Sequence, residues 1–417
     1  MATKKGTTTK AARASIRLID GGSVTSPGGF VAGAVYAGIK TAGADKLDLG
    51  ILAAELPATV AAMFTRSTVK GAAVIVSQQH ARNGRARGVI VNAGISNVAT
   101  GATGIAHANE MCALAAARLD AIAADMLVGS TGVIGRPLPI EKIRDGVQRI
   151  ELRADTAAGH AFARAIMTTD THPKTIAVRF RAASREYTIG AVAKGSGMIH
   201  PDMATMFCFV TTDAPVERRF LRTALRAAVN DSLNMMSIDG DTSTSDTTAI
   251  FANGAAGGPT IDAAHPGAAA FARALREVCI MMAKMLARDG EGAEKLIEVR
   301  VEGGASDREA RAAARTISVS PLVKTAVHGN DPNWGRLLMA AGRSGARINV
   351  ERARVWLGDI AVYNRGIIPF DEEAASQYLR SEEVLLRIDL ASGRAAATAW
   401  GCDMTPEYVH INSDYTT

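Results

Sequence analysis

Apolar and polar residues change rhythm along this chain, and the switching predicts an α/β protein. Residues 88–92 and 125–129 are short apolar runs bounded by turn residues, as buried strands are, and residues 101–119 between them carry an alanine-rich pattern of helical period. Thr131 and Gly132 follow the second of these strands directly. Pro137 and Pro139 interrupt the chain before a charged helix over residues 140–152, and residues 168–173 read as a loop. In the second half, a strand beginning at Thr205 leads through Asp213, Ala214 and Pro215 into a helix over residues 217–230. An apolar stretch, 235–238, and a polar loop, 239–246, come next. A helix over residues 267–288 stops at Asp289-Gly-Glu-Gly292, where glycines end helices by taking positive φ, and a strand over 295–301 follows. The last hundred residues read as strands over 353–357 and 360–363 and a pair, 384–390 and 395–400, around Ser392 and Gly393. No tandem repeat is visible, and the alternation defines the class without defining which strands pair.

Composition narrows the class. A chain of 417 residues, 47% hydrophobic and 21% charged, buries a large core and has room for two or three structural units. With aromatics at 5%, that core relies on small and aliphatic side chains. No apolar run is long enough to suggest a membrane span and no secretory pattern opens the chain, which points to the cytoplasm and away from a membrane partner. Residues 1–17 read as a disordered basic tail. The first dozen are rich in Lys, Thr and Ala and carry no acid. A mitochondrial transit peptide is the competing reading, but an amphipathic arginine-bearing helix is missing. The formal charge of +6 comes from dispersed arginines with no aromatic-interleaved stripe, so nucleic acid is not an expected partner. Cys112, Cys208, Cys279 and Cys402 are far apart and form no metal spacing, as expected of reduced buried thiols, and no metal is expected.

The most informative segment is Lys194-Gly-Ser-Gly-Met-Ile-His-Pro-Asp-Met-Ala-Thr-Met-Phe-Cys-Phe-Val, a glycine-loosened, proline-broken loop running into a dense apolar strand. Thr205 stands on that boundary. A hydroxyl there suits a nucleophile, and a cut between Ala204 and Thr205 would give it an α-amine, unperturbed near pH 8, to serve as its own base. Ser130-Thr131-Gly132 offers donors to an oxyanion, since glycine lets a backbone N–H approach a ligand closely. Taken alone, these residues are equally a strand threonine and an ordinary turn.

The Lys194 segment resembles the ornithine acetyltransferase family, also called glutamate N-acetyltransferases, whose cleavage site is surrounded by Lys-Gly-x-Gly-Met-Ile-x-Pro-x-Met-Ala-Thr-Met. The resemblance runs over residues 21–417. It implies a layered α/β sandwich built jointly by fragments 18–204 and 205–417, assembled as a heterotetramer of two of each. It implies a ping-pong acetyl transfer from N2-acetylornithine to glutamate in arginine biosynthesis, with Thr205 as nucleophile, Thr131 and Gly132 as oxyanion hole, and no cofactor. Thr168, Lys194, Glu291, Asn412 and Thr417 are the substrate-holding residues by the same resemblance. Lys194 would attract an α-carboxylate and Glu291 an ornithine ammonium; a solvated lysine and a helix-terminal glutamate are their plainer readings. Some relatives also accept acetyl-CoA, and this chain has no Gly-rich phosphate cradle that would decide the matter.

Two further blocks match the family. Residues 237–246 resemble a calcium loop but lack the glycine and final glutamate of an EF-hand, so they read as a hydrogen-bonded loop near the site. Residues 329–336 read as a turn followed by a helix near Trp334. One stretch departs: Asn92-Ala-Gly-Ile-Ser-Asn-Val-Ala-Thr-Gly101 has Ile95 and Ala99 where the family commonly has asparagine and cysteine. That leaves transferase specificity open. Two rivals stand beside this reading: a self-processing aminopeptidase or amidase with the same nucleophile, and a non-catalytic paralogue that binds acetylornithine, which the altered loop allows.

Overall fold

A computed structural model describes residues 16–40, 46–200 and 206–414. Its strands form two sheets. The first contains, in chain order, β1 (Arg17–Leu18), β2 (Phe30–Val35), β3 (Leu49–Phe64), β4 (Arg85–Ile95), β5 (Met126–Val133), β6 (Lys174–Ala182), β7 (Arg185–Lys194), β8 (Phe207–Thr212) and β9 (Thr247–Ala252). They lie in the order β1-β6-β7-β8-β9-β3-β4-β5, with β2 also paired to β3. The second contains β10 (Leu296–Gly304), β11 (Arg354–Leu357), β12 (Ile360–Asn364), β13 (Glu383–Asp389) and β14 (Ala395–Cys402), ordered β12-β11-β13-β10-β14.

Helices fill the layers. On the first sheet α1 (Ala72–His80), α2 (Gly101–Ala117) and α3 (Ile140–Arg149) cover β3 to β5, and α4 (Thr156–Ala165) packs on β2 and β3. Next come α5 (Arg218–Asn230) and α6 (Ala268–Arg288), which pack on each other and on β3, β6 and β7; α6 also reaches β10 and β14. The second sheet carries α7 (Asp307–Ser318), which lies on β10 and β14, and beyond it α8 (Pro321–His328), α9 (Trp334–Gly342), α10 (Glu372–Leu379) and the final α11 (Pro406–Asp414). One continuous apolar cluster joins β6 to β8, α5, α6, α7 and the second sheet, which makes the architecture a layered α/β sandwich.

Strand period decides which core each residue enters. Phe207 and Phe209 enter the cluster shared with α4, whereas Cys208 and Val210 enter the cluster shared with α5 and α6. Both faces are covered, which is why this strand is a continuous apolar run in the sequence. The four cysteines are free and buried, and burial pushes the thiols of Cys112 and Cys279 up to about 12.

Several boundaries differ from the sequence expectation. Arg17, at the end of the expected tail, begins β1 and pairs with Arg179, while residues 1–15 fall outside the described residues. The charged helix stops at Arg149, because Ile150 turns extended and Arg153 bridges to Ala32. Thr131 and Gly132 are inside β5 rather than after it, since parallel pairing with β4 continues to Ile95 and Val133. The strands around Ser392 and Gly393 do not pair with each other. β10 lies between them, parallel to β13 and antiparallel to β14, and the turn crosses its end where a Cβ on Gly393 would sit 2.3 Å from the Gly304 carbonyl oxygen.

Phe162 of α4 is fully buried, with its ring centroid 6.1 Å from that of Phe209. Phe162→Ala is expected to destabilise the protein by about 3–5 kcal/mol, measured by denaturant unfolding, because the rigid sheet below cannot collapse into the space.

Candidate functional site

The long strand β3 sets the geometry. Its register against β4 shifts between Ala53 and Ala58, so the first half pairs with β2 and β4 and the second half with β9. A shift of this kind bends a strand and increases its twist. β5 thereby returns over the start of β8, where a Cβ on Gly129 would meet the Phe207 ring at 3.1 Å. At the end of β5, Gly132 has φ +121°, and a Cβ there would lie 2.3 Å from the carbonyl carbon of Gly94. Only glycine fits that approach of two backbones.

A cleft of about 120 Å³ opens at this place, lined by Thr131, Gly132, Thr168, Lys194, Glu291 and Asn412 together with Ser96 and residues 243–245. These are the six described residues expected at the substrate site. They arrive from β5, β7, the loop before β6, the turn after α6, and α11. Ala204, Thr205 and Thr417 lie outside the described residues. A larger cleft of about 570 Å³ lies elsewhere, between α6 and the second sheet. There the charges neutralise one another through Arg276–Asp231, Arg311–Asp231, Lys284–Glu298 and Arg300–Glu298 pairs, so size is not the guide to chemistry here.

Lys194 is buried and its Nζ donates to Thr131 Oγ1 at 3.1 Å. Burial lowers its pKa, with Asp170 opposing the shift. Because the lysine donates to the Thr131 oxygen, that hydroxyl's proton is left to point elsewhere. The Lys40 ammonium is lowered to about 8, first by burial and then by Lys194, against the pull of Asp48. Glu291 accepts a hydrogen bond from Asn412 Nδ2 at 2.8 Å, and its backbone N–H donates to the Ser196 carbonyl at 2.7 Å. A Cβ on Gly197 would lie 2.2 Å from Glu291 Oε2, so the loop after β7 passes directly across this carboxylate.

A buried ion cluster holds these loops. Lys174 Nζ contacts Asp170 Oδ1 at 2.6 Å and Asp289 Oδ2 at 2.5 Å. Asp170 also accepts the N–H groups of Thr168 and Gly195, and Asp289 accepts the Thr171 N–H. Burial alone would raise the Asp170 carboxyl; the Lys174 and Lys194 ammonium groups and the hydrogen bonds from Lys174 and Gly195 hold it well below the usual carboxylate range. Sequence reasoning missed this cluster, because an Asp and a Lys four apart signal a pair only on a helix, and these sit on a loop and a strand.

The 237–246 block is a hydrogen-bonded loop beside the cleft. Asp239 accepts the N–H groups of Met198 and Ile199, and Thr242 donates to the His200 carbonyl. The 329–336 block takes structural posts instead: Asn330 accepts from Lys295 Nζ, and Trp334 stacks on Tyr363 with centroids 5.0 Å apart. Ile95 packs on the apolar cluster around α1 to α3, and Ala99 is exposed. Among the described residues, Glu294, His328 and Asp403 bring potential metal-ligand atoms together. Asp403 is already engaged there, accepting the N–H groups of Glu294 and Lys295 and facing His328 Nδ1 at 3.3 Å.

Removing the cluster's cation tests its structural weight. Lys174→Met leaves two buried carboxylates without the cation between them and is expected to cost about 3–5 kcal/mol in urea unfolding.

Comparison with known proteins extends the picture beyond the site. The model of the ArgJ family matches residues 31–417. The arginine biosynthesis bifunctional protein ArgJ of Dehalococcoides mccartyi is 47% identical over 97% of this chain and 100% of its own. That of Symbiobacterium thermophilum is 48% identical over 95% of this chain and 99% of its own. The crystal structure of the Bacillus halodurans argJ protein is 44% identical with a TM-score of 0.50, and covers 51% of this chain and 100% of that chain. With the family match spanning nearly the whole chain and such relatives aligned along their full lengths, the chain belongs to the ArgJ family.

Proposed function

We propose that this chain cuts itself between Ala204 and Thr205 and then transfers the acetyl group of N2-acetylornithine to L-glutamate through an acetyl-Thr205 intermediate, in arginine biosynthesis. The observation that carries the reading is the meeting of Thr131, Gly132, Thr168, Lys194, Glu291 and Asn412 around one cleft, from both sides of the scissile bond. The names of the relatives, with their arginine-biosynthesis role, agree with it. So does the length of the Bacillus halodurans chain, which half of this chain covers completely.

In this reading Thr205 Oγ attacks the acetyl carbonyl and its α-amine takes the proton. The developing oxyanion is received by the Thr131 hydroxyl, whose proton is free because Lys194 donates to its oxygen, and by the Gly132 N–H. Lys194 attracts the α-carboxylate and Glu291, oriented by Asn412, holds the ornithine ammonium. Ornithine leaves with the proton, and the neutral amine of glutamate attacks the ester. No cofactor takes part; acetyl-CoA is an alternative acyl donor to be tried in the same assay. The two fragments assemble as a cytoplasmic heterotetramer.

Thr205→Ala is expected to remain one intact chain on denaturing electrophoresis with mass analysis and to form no N-acetylglutamate. A Thr205→Ala protein that is cut at the same bond, or that turns over, overturns the reading. Glu291→Gln is expected to raise KM for acetylornithine about 10–100-fold in steady-state assays, the worth of one charge-assisted hydrogen bond. Light scattering on the cleaved protein is expected to give about twice the 43.5 kDa mass of the chain.

A further inference from the structure

The face of the second sheet that turns away from the apolar cluster carries a group of arginines that the reaction above does not use. Val355 and Leu357 of β11 and Leu386 and Ile388 of β13 enter the cluster, so Arg354, Trp356 and Arg387 stand together on the opposite face. The ladder sets their order. Trp356 lies opposite Arg387 on one side and Ala361 on the other, and Arg354 lies opposite Asn364. The Arg387 guanidinium stacks on the indole, 4.1 Å from its centroid, whereas the neighbour on the other side is only a methyl group, which leaves that flank of the ring unfilled. Arg365 follows β12, and its N–H donates to the Ala353 carbonyl at 2.9 Å, which ties it to the start of β11. Arg354, Trp356, Ala361, Asn364 and Arg365 line a groove of about 380 Å³, room for one small molecule.

No acid answers these charges. Among the described residues Arg354, Arg365 and Arg387 have no carboxylate partner, and the Nε of Arg354 and that of Arg387 are buried without a hydrogen-bond acceptor. Arg300, opposite Arg387 on the same face, is by contrast paired with Glu298. Asp389, which the register places opposite Arg354, accepts the Ala391 N–H instead. Like charges gathered without a counter-charge repel one another, and an anion between them relieves that repulsion. Guanidinium groups take phosphate oxygens through paired N–H donors, and an open aromatic flank takes a planar base.

We propose that this groove is a binding site for a nucleotide, with the base on the open flank of Trp356 and the phosphates between Arg354 and Arg365. It shares no lining residue with the cleft at Thr131 and Lys194, so it is a second site that stands apart from acyl transfer. The ring and the charges have separate tasks. Trp356 distinguishes a nucleotide from a bare phosphate, and the arginines distinguish it from a neutral ring.

The test titrates the purified full-length protein with ADP and, in parallel, with inorganic pyrophosphate, following heat and tryptophan fluorescence. ADP is expected to bind and to change the fluorescence. Of the three tryptophans only Trp356 lines the groove, so Trp356→Phe is expected to remove most of that change. Pyrophosphate, which has no base to stack, is expected to bind about 10-fold more weakly than ADP. Arg354→Gln and Arg365→Gln are each expected to weaken ADP binding about 10-fold or more, the worth of a charge-assisted hydrogen bond. Thermal melting checks that the variants fold; Arg365 is exposed, so Arg365→Gln stays readable whatever Arg354→Gln does. The absence of heat and fluorescence change with ADP overturns the assignment. So do equal affinities for ADP and pyrophosphate, and so does a folded arginine variant that binds ADP as tightly as wild type.

Discussion

The site depends on one buried ammonium group. Lys174 is fully enclosed between Asp170 and Asp289, and the two carboxylates between them bind the backbone at Thr168, Thr171 and Gly195. A charge taken out of water is tolerated only when its partners and hydrogen bonds are complete, so the cluster has little freedom to rearrange. Its value is positional. It fixes Thr168 and the start of the loop after Lys194 to the end of α6, two residues before Glu291. The side chains that line the cleft are therefore set by a dry ionic clamp behind them and do not have to organise themselves.

A second constraint is steric and lies on the other wall. The bend of β3 folds the first sheet back on itself, and the close backbones at Gly94 and Gly132 leave no room for a side chain. The backbone that would receive an oxyanion is thus exposed by the absence of a Cβ, while the neighbouring Thr131 is aligned by Lys194. One wall is held by charge and the other by shape. Both were needed to bring Thr131 and Lys194, distant in sequence, within hydrogen-bonding distance.

Much of this was legible in the sequence, and the divide follows the range of the interactions. Strands such as 88–92 and helices such as 267–288 were visible because their periodicity and end signals are local. The layered α/β class followed from alternation and from the family resemblance. The six described residues that line the cleft were named through motif resemblance, since charge pattern alone leaves Lys194 a solvated lysine and Glu291 a helix-end glutamate. Lys174 gave no signal, because its second partner, Asp289, lies more than a hundred residues away. The turn at Ser392 and Gly393 was recognised as a turn, yet its flanking strands are separated by β10, a long-range insertion that no turn chemistry reports.

The ladder between β7 and β8 carries a consequence for the protein's history. It runs from Ile189 opposite Thr212 to Lys194 opposite Phe207, well inside the first sheet, and its strands are joined through the segment that contains the Ala204–Thr205 bond. While the chain is whole, that pairing closes a short loop at modest entropic cost. If the proposed cut is made, the same ladder becomes an interface between two polypeptides. The folded protein keeps its shape, but the tether that raised the local concentration of the two strands is gone. Such a molecule remembers how it folded only for as long as it stays folded. The lifetime of a chain cut in this way would be governed by the barrier to unfolding rather than by an equilibrium it can revisit.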